Sequence, residues 1–226
     1  MGSQCGTGIT IIAAAGHGRR FGGKKQFLHI EDKPVYYYSI EAFRKYSESI
    51  LLVVPEEDAD TVEAYGTTVI AGGEKRYDSI YEAIRIIDRE IHPAEDTVVL
   101  IHDGARPMID SETIEKVFTD AQKNGAAVAT IPVTDTIRTV DGELIDRSRL
   151  RAMQTPQAFK WGIIREAYSK FMALPKEARD ALHITDDVQI VDQMTGIRSR
   201  MSEGNPRNIK ITTPVDIEIL GLHKKS

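Results

Sequence analysis

The run ITIIAAAGHGRRFGGKKQF, residues 9–27, changes character half-way. ITIIAAA (9–15) is rich in Ile and Ala and does not alternate with polar residues, as expected of a strand covered on both faces of a sheet. The remainder carries four glycines, two arginines and two lysines and no acidic residue. Gly16 and Gly18 permit a tight turn whose N–H groups can point at an anion. Arg19, Arg20, Lys24 and Lys25 supply charge, arginine as a fork for phosphate oxygens and lysine as a point charge. A buried strand running into a cationic glycine loop predicts a phosphate site beyond the carboxyl end of a strand in an open α/β sheet. The spacing is not G-x-x-x-x-G-K-[ST]. It meets G-x-G-x-x-G only loosely, with Phe21 at the third glycine, which disfavours a dinucleotide dehydrogenase.

The same alternation continues along the chain. SILLVVP (49–55), TTVIAGG (67–73), DTVVLIHDG (96–104) and AAVATIPV (126–133) read as further strands. Between them, PVYYYSIEAFRKY opens at Pro34, and KRYDSIYEAIRIIDRE puts Ile80, Ala83, Ile84 and Ile87 on one face. SETIEKVFTDAQKNG takes Ser111 as its N-cap and Gly125 as its stop. Strands alternating with helices imply βαβ units and an open, mostly parallel sheet with helices on both faces. The exception is TDTIRTVDGELIDRSRLRAM (134–153), two mixed-polarity runs about Asp141-Gly142, a β-hairpin signature. It has too little apolar surface for a core of its own and reads as an arm that packs on another surface. The expectation is a single domain, 1–226, bearing this arm.

The 226 residues carry a net charge of −5, so the cationic loop is local and a general nucleic-acid binder is not expected. Every apolar run is strand-sized, which excludes a membrane span, and the first residues lack a signal peptide. A lone Cys5 fits a reducing compartment, hence a cytoplasmic location.

Three more stretches follow strands. AGGEKRYDS places Arg76 and Ser79 one turn apart at a helix N-terminus, behind Gly72 and Gly73. IHDGARP ends a strand on Asp103, a carboxylate suited to Mg²⁺ or a ribose hydroxyl, followed by Gly104, Ala105 and Arg106. GNPRNIKITTP carries Lys210 in a strand-like run. His17 and His102 fit no metal-ligand spacing and read as bystanders. Thr185 with Asp186 and Asp187 reads equally as an N-cap with an acidic first turn or as a pocket edge.

Taken in order, AAAGHGRRFGGKKQFL, AGGEKRYDSI, IHDGARP, PVTDTIR, IDRSRLRAMQTPQAF, TDD and EGNPRNIKITTP make the chain resemble the 2-C-methyl-D-erythritol 4-phosphate cytidylyltransferases over nearly its whole length. The resemblance implies a nucleotide-diphospho-sugar transferase-like fold, a homodimer exchanging arms, and transfer of a cytidylyl group from CTP to a polyol phosphate with Mg²⁺. It implies that Ala14, Ala15, Gly16, His17, Gly18, Arg19 and Arg20 cradle the triphosphate, with Arg20 and Lys25 stabilising the transition state. Gly72, Gly73, Arg76 and Ser79 would meet cytosine and ribose. Asp103, Gly104, Ala105 and Arg106 would border nucleotide, metal and substrate. Thr136 and Arg147 on the arm would hold the substrate phosphate, Lys210 would position it, and Thr155 and Thr185 would line the pocket. Three departures stand out: Lys24 occupies a common proline position and could share the role of Lys25, the loop between Arg20 and Lys25 is shorter than is usual for the family, and Arg151 replaces a frequent aromatic residue. A ribitol-5-phosphate cytidylyltransferase is the near alternative; a non-catalytic nucleotide-binding regulator is the more distant one.

Overall fold

The computed structural model describes residues 7–16, 18 and 21–220. Its strands are β1 (Gly8–Ala13), β2 (His29–Ile30), β3 (Lys33–Pro34), β4 (Ser47–Val54), β5 (Thr68–Ala71), β6 (Val98–Asp103), β7 (Ala126–Pro132), β8 (Ile137–Arg138), β9 (Leu144–Ile145), β10 (Arg151–Lys160) and β11 (Arg200–Glu203). Seven of them form one sheet in the order β11-β7-β10-β6-β1-β4-β5. β10 runs antiparallel to both β6 and β7, and every other pair is parallel.

The five apolar runs became β1, β4, β5, β6 and β7, and the burial of β6 on both faces explains its unbroken VVLI. Helices α1 (Val35–Phe43) and α3 (Ser111–Asn124) cover one face; α2 (Arg76–Ile86), α4 (Trp161–Met172) and α6 (Asp187–Thr195) cover the other. β1 feeds both cores, Ile9 and Ile11 to one side and Ile12 to the other, with Ile11 and Ile12 fully buried. Each such isoleucine contributes roughly 1.5–3 kcal/mol of burial. The helix expected from Ser111 is capped one residue earlier: the Asp110 carboxylate accepts from the Thr113 N–H at 2.8 Å. A carboxylate next to the helix's open N–H groups is the better cap. Gly125 ends that helix at φ +89°. The short helices α5 (Lys176–Ala181) and α7 (Pro214–Ile219) lie outside the two main layers of core.

The hairpin of residues 134–153 is present but shorter than expected. Only β8 and β9 pair, joined through mutual bonding of Thr139 with Gly142 and Glu143. Residues 151–153 belong to β10 and pair with β7. Val140 and Leu144 on the arm are exposed.

Because β1, β4, β5 and β6 are parallel, their carboxyl ends share one edge. The chain order reverses about β1, whose neighbours are β4 and β6, so a crevice opens at that edge.

Candidate active site

A cavity of about 480 Å³ fills the crevice. Its floor is the end of β1 and the following turn, Ala13 to Gly16 with Gly18. Lys25 stands on one wall, Gly73 to Arg76 and Ser79 on another, Asp103 and Ala105 at the end of β6, and Lys210 with Thr212 opposite. Eleven residues expected from scattered stretches thus meet: Ala14, Ala15, Gly16, Gly18, Lys25, Gly73, Arg76, Ser79, Asp103, Ala105 and Lys210.

Local contacts explain the shape of the walls. The Gly18 carbonyl accepts from the amides of Phe21 and Gly22 at 2.8 and 3.0 Å, and Gly18 itself sits at φ +63°. The buried Gln26 amide donates to the Gly16 carbonyl at 2.9 Å, tying the start of the loop to the residue after Lys25. At Gly72, a Cβ would lie 2.5 Å from the Ala15 Cβ and 2.8 Å from the Ser79 Oγ, so only glycine lets these pocket residues pack. The Ser79 hydroxyl accepts from the Gly73 N–H at 3.1 Å. Gly104 donates to the Ala13 carbonyl at 2.9 Å, locking the end of β6 to β1.

The electrostatic centre is Asp103. Arg76 reaches its Oδ1 at 2.7 Å, and Lys210 and Arg106 reach its Oδ2 at 2.9 and 3.4 Å. Burial alone would raise the Asp103 carboxyl, but Lys210, Arg76 and Arg106 outweigh it and hold it well below the ordinary range. Arg76 also pairs with Asp187 at 2.7 Å. Burial opposes the charged form of Arg76, yet Asp187 and Asp103 raise its pKa. Three cations against two carboxylates leave this cluster with an excess positive charge facing the cavity. Lys210 lies in a loop rather than a strand; the Ile211 N–H donates to the Ala105 carbonyl at 2.9 Å and so docks it there.

Behind the carboxylate runs a chain of bonds with a fixed direction. The Asp103 N–H donates to Thr155 Oγ1 at 3.1 Å, the Thr155 hydroxyl faces His102 Nδ1 at 3.0 Å, and His102 Nε2 faces the Arg106 carbonyl at 3.2 Å. A carbonyl only accepts, so the His102 proton is on Nε2 and Nδ1 takes the threonine proton. Burial pushes the His102 pKa down to about 3. His102 is fully buried and does not line the cavity. Its work is to join β6, β10 and the Arg106 turn. Thr155, 4% exposed, lies beneath the cavity wall with its hydroxyl spent inward.

Of the buried polar residues around the site, Asn208 was not singled out in the sequence, and Asp187 was read only as part of an acidic first turn or a pocket edge. Asp187 is buried, accepting from Arg76 and from the Tyr168 hydroxyl at 2.5 Å, while its N–H donates to Gln157 at 3.0 Å. Asn208, fully buried, donates to the Thr155 carbonyl at 2.7 Å and accepts from Arg106 at 2.6 Å through its own carbonyl. Asp186, not Thr185, caps α6, accepting from the Gln189 N–H at 2.9 Å. Thr185 is exposed and borders a smaller adjoining cleft with Lys75, Arg76 and Asp187.

Two arm residues do not reach this cavity within the chain: Thr136 is exposed, and Arg147 donates to the Thr134 carbonyl. Lys24 pairs with Glu57 at 2.8 Å and Asp58 at 2.5 Å and does not line the cavity. His17, Arg19 and Arg20 lie outside the described residues. Among the described residues no three His, Cys, Asp or Glu side chains cluster as a metal cage. Both oxygens of Asp103, the expected metal ligand, face cations: Arg76 on Oδ1, Lys210 and Arg106 on Oδ2. No helix among these residues is long and apolar enough to cross a membrane.

Residues 9–221 match the family described as IspD, 2-C-methyl-D-erythritol 4-phosphate cytidylyltransferase. A protein of that name from Syntrophotalea carbinolica is 38% identical over 224 residues, covering 92% of this chain and 91% of its own. One from Bacillus velezensis is 34% identical over 225 residues, covering 92% of each. The crystal structure of the enzyme of that name from Thermus thermophilus superposes with a TM-score of 0.77 at 29% identity, over 95% of this chain and 97% of that one.

Proposed function

The chain belongs to the 2-C-methyl-D-erythritol 4-phosphate cytidylyltransferase family, and on that premise we propose that its cavity joins CTP to 2-C-methyl-D-erythritol 4-phosphate. A phosphate oxygen of the polyol attacks the α-phosphorus of CTP. The bond from that phosphorus to the β-phosphate oxygen breaks, and pyrophosphate leaves. The attacking oxygen is already ionised near neutral pH, so no protein base is needed. The obstacle is bringing two anions together, and positioning with charge neutralisation answers it.

The observation that carries this reading is the pair of lysines, Lys25 and Lys210, on different walls of one cavity whose cluster of Arg76, Arg106, Asp103 and Asp187 has positive charge to spare. Lys25, with Arg20, meets the triphosphate and the charge that develops during transfer. Lys210 orients the incoming phosphate. The turn from Ala14 to Gly18 offers backbone N–H groups to the triphosphate, and Gly72, Gly73, Arg76 and Ser79 bound the cytidine end. Mg²⁺ would be held by Asp103 together with the nucleotide's phosphates and would supply further neutralisation there. Thr136 and Arg147 come from the arm of a second copy, because neither reaches the cavity of its own chain. Thr185 and Thr155 shape the polyol end, Thr155 through Asp103. The lone Cys5 supports a cytoplasmic setting.

Pyrophosphate release with CTP and Mg²⁺, assayed with methylerythritol phosphate and ribitol 5-phosphate in turn, tests the assignment. Release with the first and little with the second is expected. The reverse preference would move the chain to the alditol branch, and no release with either would remove the activity altogether.

A further inference from the structure

In the glycine loop that ends in Lys25, a Cβ at Gly22 or Gly23 would meet nothing within 4 Å. Among the described residues its bonds are local: Phe21 and Gly22 donate to the Gly18 carbonyl at 2.8 and 3.0 Å, Lys25 donates to that of Gly23 at 2.9 Å, and the Gln26 side chain donates to that of Gly16 at 2.9 Å. Glycine-rich backbone is costly to order, yet Lys25 has to present its ammonium to the cavity in one place. Lys24, the residue before it, is held from outside the loop. Its Nζ lies 2.8 Å from the Glu57 carboxylate and 2.5 Å from that of Asp58, on the 3-10 turn Glu56–Asp58. That turn follows β4 directly, and its Asp58 N–H donates to the Pro55 carbonyl at 2.9 Å. The two ion pairs therefore bridge the end of the loop to the turn that follows β4. Lys24 itself sits at φ −75°, within the range that a proline ring imposes.

We propose that Lys24 is a positioning residue for the transfer reaction: its paired contacts with Glu57 and Asp58 fix the end of the glycine loop so that Lys25 faces the cavity. This rests on Lys25 acting in cytidylyl transfer. Its consequence is distinct, because Lys24 contributes through geometry and not through charge at the substrate. Lys24→Met keeps the stem and loses the tether. Lys24→Arg keeps the charge, and Lys24→Pro restrains the backbone at the observed φ with no charge at all. Steady-state kinetics should show kcat lowered about 3- to 10-fold in Lys24→Met, with KM for CTP within about twofold of wild type. Lys24→Arg and Lys24→Pro should both recover most of that loss. In the substrate-free protein, amide exchange of residues 21–27 should quicken in Lys24→Met and return toward wild type in Lys24→Pro. Wild-type kcat in Lys24→Met, unchanged exchange there, or a Lys24→Pro enzyme as slow as Lys24→Met would each overturn the tether. A wild-type protein that releases no pyrophosphate from CTP would overturn the reaction instead, and the exchange measurement would still decide the tether.

Discussion

His102 never touches the cavity, yet its titration should be visible in the stability of the whole chain. Its folded pKa of about 3 lies below the ordinary 6.5. Between those values the unfolded chain binds a proton that the folded chain refuses, so stability is full above about pH 6.5 and is lost as pH falls toward 3. The slope for one proton is about 1.4 kcal/mol per pH unit. Urea unfolding of His102→Gln between pH 4.5 and 6.5 should be flatter than wild type by roughly that amount; an unaltered slope would mean the ring is protonated in the folded state. Lys25 makes the opposite kind of contribution, to rate rather than to folding. Lys25→Ala should lower kcat by about 10²–10³ with a smaller change in KM for CTP, because the lost contact is strongest where charge develops. Near-normal kcat would remove Lys25 from the reaction.

At the scale of the elements, the site depends on how closely the turn after β5 approaches the turn after β1. A methyl group at Gly72 would strike Ala15 and Ser79, whereas one at Gly16 meets nothing within 4 Å. Gly72→Ala should therefore raise KM for CTP about tenfold or more, and Gly16→Ala should leave the fold's thermal stability near wild type. Equal behaviour of the two variants, in calorimetry and kinetics, would contradict this packing. The contrast also shows what the amino-acid sequence conveys. The five strands built from Val, Ile and Ala were legible because a buried strand has to be apolar on both faces. β10 was not, since Gln154, Thr155 and Gln157 break its apolar run, and those polar residues stay buried because distant residues bond them: Asn208 donates to the Thr155 carbonyl, His102 Nδ1 accepts from the Thr155 hydroxyl, and the Asp187 N–H at the start of α6 donates to Gln157. β11, four residues with an exposed Met201, is an edge that no local pattern marks. Lys25, Arg76 and Asp103 were legible as charges beside glycines at strand ends. Asp187 was read only as a first-turn acid or pocket edge; its pairing with Arg76 was not legible, because the two are 111 positions apart and a first-turn carboxylate ordinarily faces solvent.

For the whole molecule, the arm sets the question. Residues 137–145 make a hairpin of two-residue strands with exposed Val140 and Leu144, too small to be stable alone. If a two-fold partner receives it, Arg147 serves the neighbour's cavity. Lys25→Ala and Arg147→Ala should then each be nearly inactive, while co-expression in equal amounts restores about a quarter of wild-type activity. Confirmed mixed dimers with no recovery would place Arg147 in its own subunit. The account as a whole turns on which atoms move. With ¹⁸O placed in the non-bridging phosphate oxygens of methylerythritol phosphate, attack on the α-phosphorus of CTP keeps every labelled oxygen in the cytidine diphosphate product. Mass spectrometry of one turnover should find all of the label there and none in pyrophosphate; label in pyrophosphate, or no labelled diphosphate product, would contradict it.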